Sequence, residues 1–383
     1  MKAALSITAA WVLFAAAPLA AQSQQRSLSL LDAVQRALAA HPSIELAAAN
    51  VARARSGVRE ARAAQLPTLG LDGSLSEFQE PMVVAPLHGF DARNPPSFDR
   101  TLSQGSLNLG YTLFDAARGS RIDRAEALQE AAQSSALAAR MQLLSDVARA
   151  YLRVRTAREV AQAHERRVSA LTQERGRTRQ LVEQGRAARV VQLRAEAALS
   201  AAQAEGVSAA SDVEIAENEL ARQLGVPVDS VHTAALTTSA RAAVAVPPVE
   251  QYREAARVSN PDLLRAQRQI AAAQATRGEA HGLWLPRFQV GGRYVEYGST
   301  KSAPQGEWQG AVQLSYPLFT GGARAAANDR AAAEVRAAEA EYQLAERRVA
   351  DAIDRAYAAW RAARARVQAL EAAVAQSDEV TRI

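Results

Sequence analysis

Cysteine is missing from all 383 residues, which excludes disulfides, thiolate metal sites and a lipid attached through an N-terminal cysteine. Aromatic residues make up only 5% of a chain that is 48% hydrophobic, so alanine carries much of the apolar count. Alanine favours helix and lets helices approach closely, but it buries little area per residue. Beyond the N-terminus, no segment approaches the uncharged length that a membrane helix needs. Nor is there a strong excess of one charge: the formal net charge is +5, from 45 Lys and Arg against 40 Asp and Glu. Arg and Glu are interleaved along the helical stretches, which reads as solvated helix faces laced with i,i+4 pairs and not as a nucleic-acid footprint.

What is present begins with an export signal. Met1 and Lys2 supply a positive charge, "AALSITAAWVLFAAAPLA" is apolar, and small residues end it at Ala20 and Ala21 before "QSQQ". Residues 1–21 therefore read as a secretory signal peptide, too short and wrongly flanked for a stop-transfer helix. If the mature chain sits in a membrane, it must do so with strands.

The chain then states one pattern twice. "VQLSYPLFTGGARAAANDRAAAE" from Val312 alternates Val312, Leu314 and Tyr316 with Gln313 and Ser315, passes a Gly-Gly pair, and becomes an Ala-rich charged helix. "LNLGYTLFDAARGSRIDRAEA" from Leu107 does the same with Leu107, Leu109, Tyr111 and Leu113. The repeat aligns Pro42 with Pro261, Pro67 with Pro286, Phe114 with Phe319 and Tyr151 with Tyr357, a period near two hundred residues. Each copy reads as a helix opened by proline, a stop at Pro67 or Pro286, an outgoing strand, a loop, a returning strand and a very long helix. The outgoing strands carry Leu69, Leu71 and Leu75, or Phe288, Val290 and Tyr294; Val295 and Tyr297 break the second alternation. The returning strands are expected near Leu102–Leu113 and Trp308–Tyr316. The boundaries predicted are a first repeat at 22–225, a linker at 226–248 and a second repeat at 249–383.

Four strands of about ten residues, apolar on one face, have the length and pattern of transmembrane β-strands. A small soluble sheet packed on helices fits the alternation as well. The export signal, Tyr and Trp at strand ends and the loops suited to an outer surface favour the membrane. Four strands cannot close a barrel, and an open edge is not tolerated in lipid, so several chains must then share one barrel. Leu107, Leu109, Leu113, Val312 and Leu314 are expected toward lipid, and Asn108, Thr112, Gln313 and Ser315 toward the lumen.

The first long helix should run from about Ala116 to Gln184, on the order of 100 Å at about 1.5 Å per residue. "VEQGRAARVVQLRAEAALS" breaks it at Gly185, and a return helix ends at "ENELARQLGVP", with Gly225 as C-cap. These residues, with the duplication, "NPDLL", "QLP", "WLP" and "YPLFTGGAR", carry a resemblance to the TolC-like outer-membrane efflux proteins over essentially the whole mature chain. The resemblance implies a mainly α fold with four transmembrane strands per chain. It implies a homotrimeric β-barrel in outer-membrane lipid, continued by a periplasmic α-helical barrel. The junctions between the two would be Pro67, Phe114, Pro286, Pro317, Phe319, Gly321 and Gly322. The turn at Gly185, Arg186, Arg189 and Val190 would be the periplasmic tip, where an adaptor (membrane fusion protein) of an inner-membrane pump docks.

Enzyme chemistry is not spelled. His41, His88, His164, His232 and His281 have no metal-ligand spacing, and no phosphate-cradling loop or nucleophile elbow is present. "TGGAR" at a strand-to-helix bend reads as a hinge, and Glu126, Glu130 and Asp146 as solvated or tunnel-lining. No enzyme, no cofactor, no metal and no nucleic acid are expected. Two functions remain open: an exit duct for efflux or type I secretion, and an exported periplasmic coiled-coil adaptor or structural protein. Ile383 aligns with Arg177, ahead of the position matching Gly185, so the second repeat is expected to be incomplete at its C-terminus.

Overall fold

The computed structural model describes residues 27–83, 93, 97–237, 246–300 and 304–382. The expected signal peptide lies outside them, as do parts of the first strand-to-strand loop and of the linker. In chain order the elements are β1 (Ser27–Ser29), α1 (Leu30–Ala40), α2 (Pro42–Ala63), β2 (Thr68–Glu77), β3 (Met82–Val83), β4 (Ser97–Phe98) and β5 (Thr101–Phe114). There follow α3 (Ala117–Glu183), α4 (Arg189–Leu224), α5 (Val228–His232) and β6 (Ala235–Thr237). The remainder is α6 (Val249–Ser259), α7 (Pro261–Gly282), β7 (Arg287–Ser299), β8 (Gln305–Ser315) and α8 (Ala323–Arg382). The chain forms two compact units, Met1–His41 with Leu144–Ala240, and Pro42–Leu143 with Arg241–Ile383.

The first unit holds β1, α1, the distal part of α3, α4, α5 and β6. Ser29 starts α1 with a capping box: its Oγ accepts from the Asp32 N–H at 3.1 Å, and Asp32 Oδ2 accepts from the Ser29 N–H at 3.2 Å. The short strands β1 and β6 pair in parallel, with Leu28 opposite Leu236. Beneath them Ala33, Ala37, Val147, Tyr151, Val154, Leu220 and Val231 are fully buried or nearly so. Sequence periodicity does not reveal this ribbon, because three-residue strands show no pattern of two.

The second unit is built on an antiparallel sheet of order β2-β5-β7-β8. Its helices are the proximal part of α3, with α2, α6, α7 and α8. Asn260 caps α7, accepting from the Asp262 and Leu263 N–H groups at 2.9 and 3.3 Å, with Pro261 in the first turn. Leu263, Ala266 and Ala345, with Tyr342 and Val349, pack α7 against α8. Where α7 meets the start of α3 the backbones nearly touch: a Cβ on Gly282 would lie 2.6 Å from the Ala117 nitrogen.

Two strand details differ from the sequence expectation. β8 begins at Gln305, ahead of Trp308. In β5 a bulge between Thr112 and Phe114 takes Leu113 out of register, so Phe114, and not Leu113, continues the apolar row opposite Phe288.

Candidate functional site

The sheet separates two chemistries. Reading cross-strand partners, one face carries Leu69, Leu71 and Leu75, then Leu107, Leu109 and Tyr111, then Phe288, Val290 and Tyr294, then Trp308, Val312 and Leu314. Most of these side chains are exposed among the described residues; Leu71 is 82% exposed, Trp308 79% and Val312 72%. The opposite face carries Asp72, Gln104, Ser106, Asn108, Thr112, Gln289, Arg293, Gln309, Gln313 and Ser315. Asn108 donates to Asp72 Oδ2 at 2.6 Å across it. Val295 and Tyr297 join this polar face, which explains the broken alternation; Val295 is buried there beside Ser106.

Each strand passes into helix through a compact joint. After α2, the Gln65 and Leu66 N–H groups close back on Arg62 and Ala63, and Pro67 precedes β2. At the end of β5, Phe114 stacks edge-on to Phe288 with centroids 6.2 Å apart. Asp115 then starts α3: its Oδ1 accepts from the Ala117 N–H at 3.0 Å, and its Oδ2 pairs with Arg121 and, at 3.5 Å, with Arg287 at the start of β7. Burial raises the Asp115 pKa, but the Arg121 hydrogen bond, the Ala117 N–H and the charges of Arg121 and Arg287 outweigh it and hold the carboxyl below the usual range.

The second joint uses different means. Pro286 precedes β7, and Pro317 follows β8. Leu318 and Phe319 stand 85% and 87% exposed, and Gly321 and Gly322 take φ of 59° and 84°, a region that favours glycine. Arg324, in the first turn of α8 and only 9% exposed, lies 4.6 Å over the Trp284 ring and 5.9 Å from the Tyr316 centroid. Its Nη2 donates to the Leu318 carbonyl at 3.3 Å, and its Nε and Nη1 find no acceptor among the described residues. Cation–π contact thus replaces the carboxylate.

At the far end of α3, Gly185 adopts φ 69°. The Gly185 N–H closes on Val182 at 2.9 Å and the Arg186 N–H on Leu181 at 2.8 Å, a Schellman stop. Arg189 and Val190 begin α4, with Val190, Val191 and Leu193 exposed. Arg153 to Glu219 at 2.9 Å and Arg167 to Glu205 tie α4 back onto α3. Gly225 repeats the stop with φ 66°.

A family model for outer membrane efflux proteins matches residues 33–226 and 253–383. The chain belongs to the outer membrane efflux protein family.

Solved structures agree with this efflux protein in fold, which is the TolC-like one. The outer membrane protein VceC of Vibrio cholerae superposes with a TM-score of 0.73 at 21% identity, over 91% of this chain and 83% of VceC. A membrane protein of Pseudomonas aeruginosa gives 0.71 at 23% identity, over 85% and 76%. The open-state MtrE outer membrane channel of Neisseria gonorrhoeae gives 0.64 at 22%, over 86% and 75%. Comparison with curated protein sequences finds no match. Family membership places this chain among the outer membrane efflux proteins and carries outer-membrane efflux as its activity at that level of description.

Sequence reasoning missed the two polar groups that hold the first unit of the efflux protein. The buried Tyr151 hydroxyl is shared between the carbonyls of Leu28 at 2.7 Å and Thr237 at 2.8 Å, clipping both short strands to α3. Arg158 pairs with the buried Glu217 and donates to the Val231 and Ala234 carbonyls at 2.7 and 2.8 Å, closing the end of α5. Tyr151 was visible only as a repeat marker. Glu126 and Glu130, read as solvated or tunnel-lining, have side chains 42% and 47% exposed and pair with Arg62 at 2.6 Å and Arg268 at 2.8 Å. Among the described residues no group of His, Asp and Glu stands ready for a metal.

Proposed function

We propose that this chain is the outer-membrane exit duct of a tripartite efflux or type I secretion system. Three copies contribute their sheets to one barrel in outer-membrane lipid, and their helices continue it as a periplasmic tunnel. The observation that supports this best is a four-stranded sheet apolar on one exposed face, polar on the other, and continuous at its joints with helices of 67 and 60 residues. Lipid on one side and water on the other account for that partition; a soluble sheet would have to cover the leucine face.

In this reading residues 1–21 are a signal peptide, and 22–225 and 249–383 are two copies of one unit joined by 226–248. Pro67, Phe114, Pro286, Pro317, Phe319, Gly321 and Gly322 turn barrel into tunnel. Gly185, Arg186, Arg189 and Val190 form the periplasmic tip that meets an adaptor, and an inner-membrane pump supplies the energy. No step needs a cofactor.

Fractionation and thiol labelling test it. The protein should be recovered from the outer membrane only with detergent. In intact cells a cysteine at Glu80 should react with an impermeant reagent, and one at Arg186 should not. Recovery from soluble periplasm would favour the adaptor reading instead, and reversed labelling would overturn the orientation.

A further inference from the structure

The sheet carries an internal measure of how two copies of this chain meet. With Pro67 laid on Pro286 and Phe114 on Phe319, the β2–β5 pairing maps onto β7–β8 without slip. Leu69 opposite Leu109 becomes Phe288 opposite Leu314, and Leu71 opposite Leu107 becomes Val290 opposite Val312. The two hairpins are equivalent. The central pairing therefore shows how the return strand of one hairpin meets the outgoing strand of the next: Leu107 opposite Tyr294, Leu109 opposite Gly292, Tyr111 opposite Val290. At the ends of the sheet, β8 is a return strand and β2 an outgoing strand, and neither has an outer neighbour among the described residues.

The helices below that central seam are informative in their charges but not in their spacing, because the close-packed Gly278 and Gly282 have Arg59 and Ala63 as counterparts, which hold the helices further apart between copies. Gly278 and Gly282 of α7 lie against Ser120 and Ala117 of α3, and Arg124 Nε meets Glu279 Oε1 at 2.8 Å. Through the alignments of Pro42 with Pro261 and Tyr151 with Tyr357, Glu279 corresponds to Glu60 on α2, and Arg124 to Arg330 on α8. Glu60 is exposed, and Arg330, 76% exposed, reaches only Glu334, one turn along at 3.8 Å, among the described residues. The Asp115, Arg121 and Arg287 cluster has Thr320, Ala327 and Thr68 as its counterparts, which carry no charge.

We propose that β8 closes on β2 of a second copy in the register of the internal seam: Val312 opposite Leu75, Leu314 opposite Gly73, and Tyr316 opposite Leu71 of that copy. Arg330 pairs with its Glu60 and is the ionic tie between copies. This register keeps the apolar residues of both edges on one face, whereas a slip of one residue would set Leu75 against Gln313 and invert them. The inference rests on the shared barrel proposed above and specifies its seam.

The absence of native cysteine makes the test direct. In cells producing the full chain, Leu314→Cys with Gly73→Cys, and Val312→Cys with Leu75→Cys, should give a reducible covalent trimer under mild oxidation. The pairs displaced by two residues, Leu314→Cys with Leu75→Cys and Val312→Cys with Gly73→Cys, should give little, because diagonal neighbours sit about 7–8 Å apart, beyond disulfide reach. Separately, Glu60→Arg or Arg330→Glu should each lower the SDS-resistant trimer about twofold to fivefold, as for a partly exposed ion pair, and the double reversal should restore it. Preferential cross-linking of a displaced pair, or a double variant no better than the singles, overturns the seam. The ion-pair arm reads the same seam without altering a strand, so poor assembly of a cysteine variant does not shelter the proposal. A native chain that is monomeric in the outer membrane overturns the shared-barrel reading itself.

Discussion

Asp115 and Gly282 show how much single positions carry at the base of the sheet. Asp115 is the anion for two guanidinium groups and an N–H acceptor for the start of α3. Because its pKa lies below the usual carboxylate range, its contribution is fully present above that range and is lost only as pH falls through the lowered value. The joint should therefore be insensitive to pH from neutral down to about 4. Asp115→Asn should cost about 1–3 kcal/mol at neutral pH by leaving Arg121 and Arg287 unpaired, and the wild-type and variant unfolding curves should converge in strong acid. Gly282 allows the contact of α7 with α3, and the atom it would strike is backbone. Gly282→Ala should destabilise by about 1–3 kcal/mol, as in an overpacked core. Gly176→Ala, where nothing lies within 4 Å, should instead gain about 0.5–1 kcal/mol of helix stability. Thermal melting of the two variants in detergent, side by side, checks the contrast.

Among the elements, the strands make the sharpest distinction. Leu109 and Val312 stand on the apolar face, and Asn108 and Gln313 on the polar one. Arg at Leu109 or Val312 should cost about 2–4 kcal/mol of folding stability in a bilayer, and Arg at Asn108 or Gln313 little. Equal tolerance on both faces, measured by folding into liposomes, would mean that these strands do not meet lipid. The bulge refines the lower limit of this band. Leu113 leaves the row and Phe114 enters it against Phe288, at the joint where the depth-dependent cost falls toward about 0–1 kcal/mol. The long helices, by contrast, pack through many alanines among larger buried side chains, and the partly exposed pairs Arg153 with Glu219 and Arg62 with Glu126 reach between them.

Over the whole molecule, the Gly185 turn and the sheet serve different partners on the proposed reading. Arg186 and Arg189 at the turn would meet an adaptor, and nothing in the sheet should depend on them. Arg186→Glu combined with Arg189→Glu should abolish adaptor capture and efflux in cells while leaving the amount of protein in the outer membrane unchanged. Normal efflux by this variant would remove the turn from the docking surface.

The strand-strand-long helix order, the turns at Gly185 and Gly225 and the polar-apolar partition of the strands are all legible in the linear sequence. Each is set by local chemistry: a period of two, a proline at a helix start, or a glycine with positive φ after a run of helix formers. The close packing of α7 on α3, the Phe114 bulge, the Arg324 stack on Trp284 and Tyr316, and the Tyr151 clip on Leu28 and Thr237 are not legible there. They join residues tens to more than a hundred positions apart, or depend on a one-residue shift between strands. Only the folded chain brings these groups within hydrogen-bonding or van der Waals distance, so only the tertiary structure decided them.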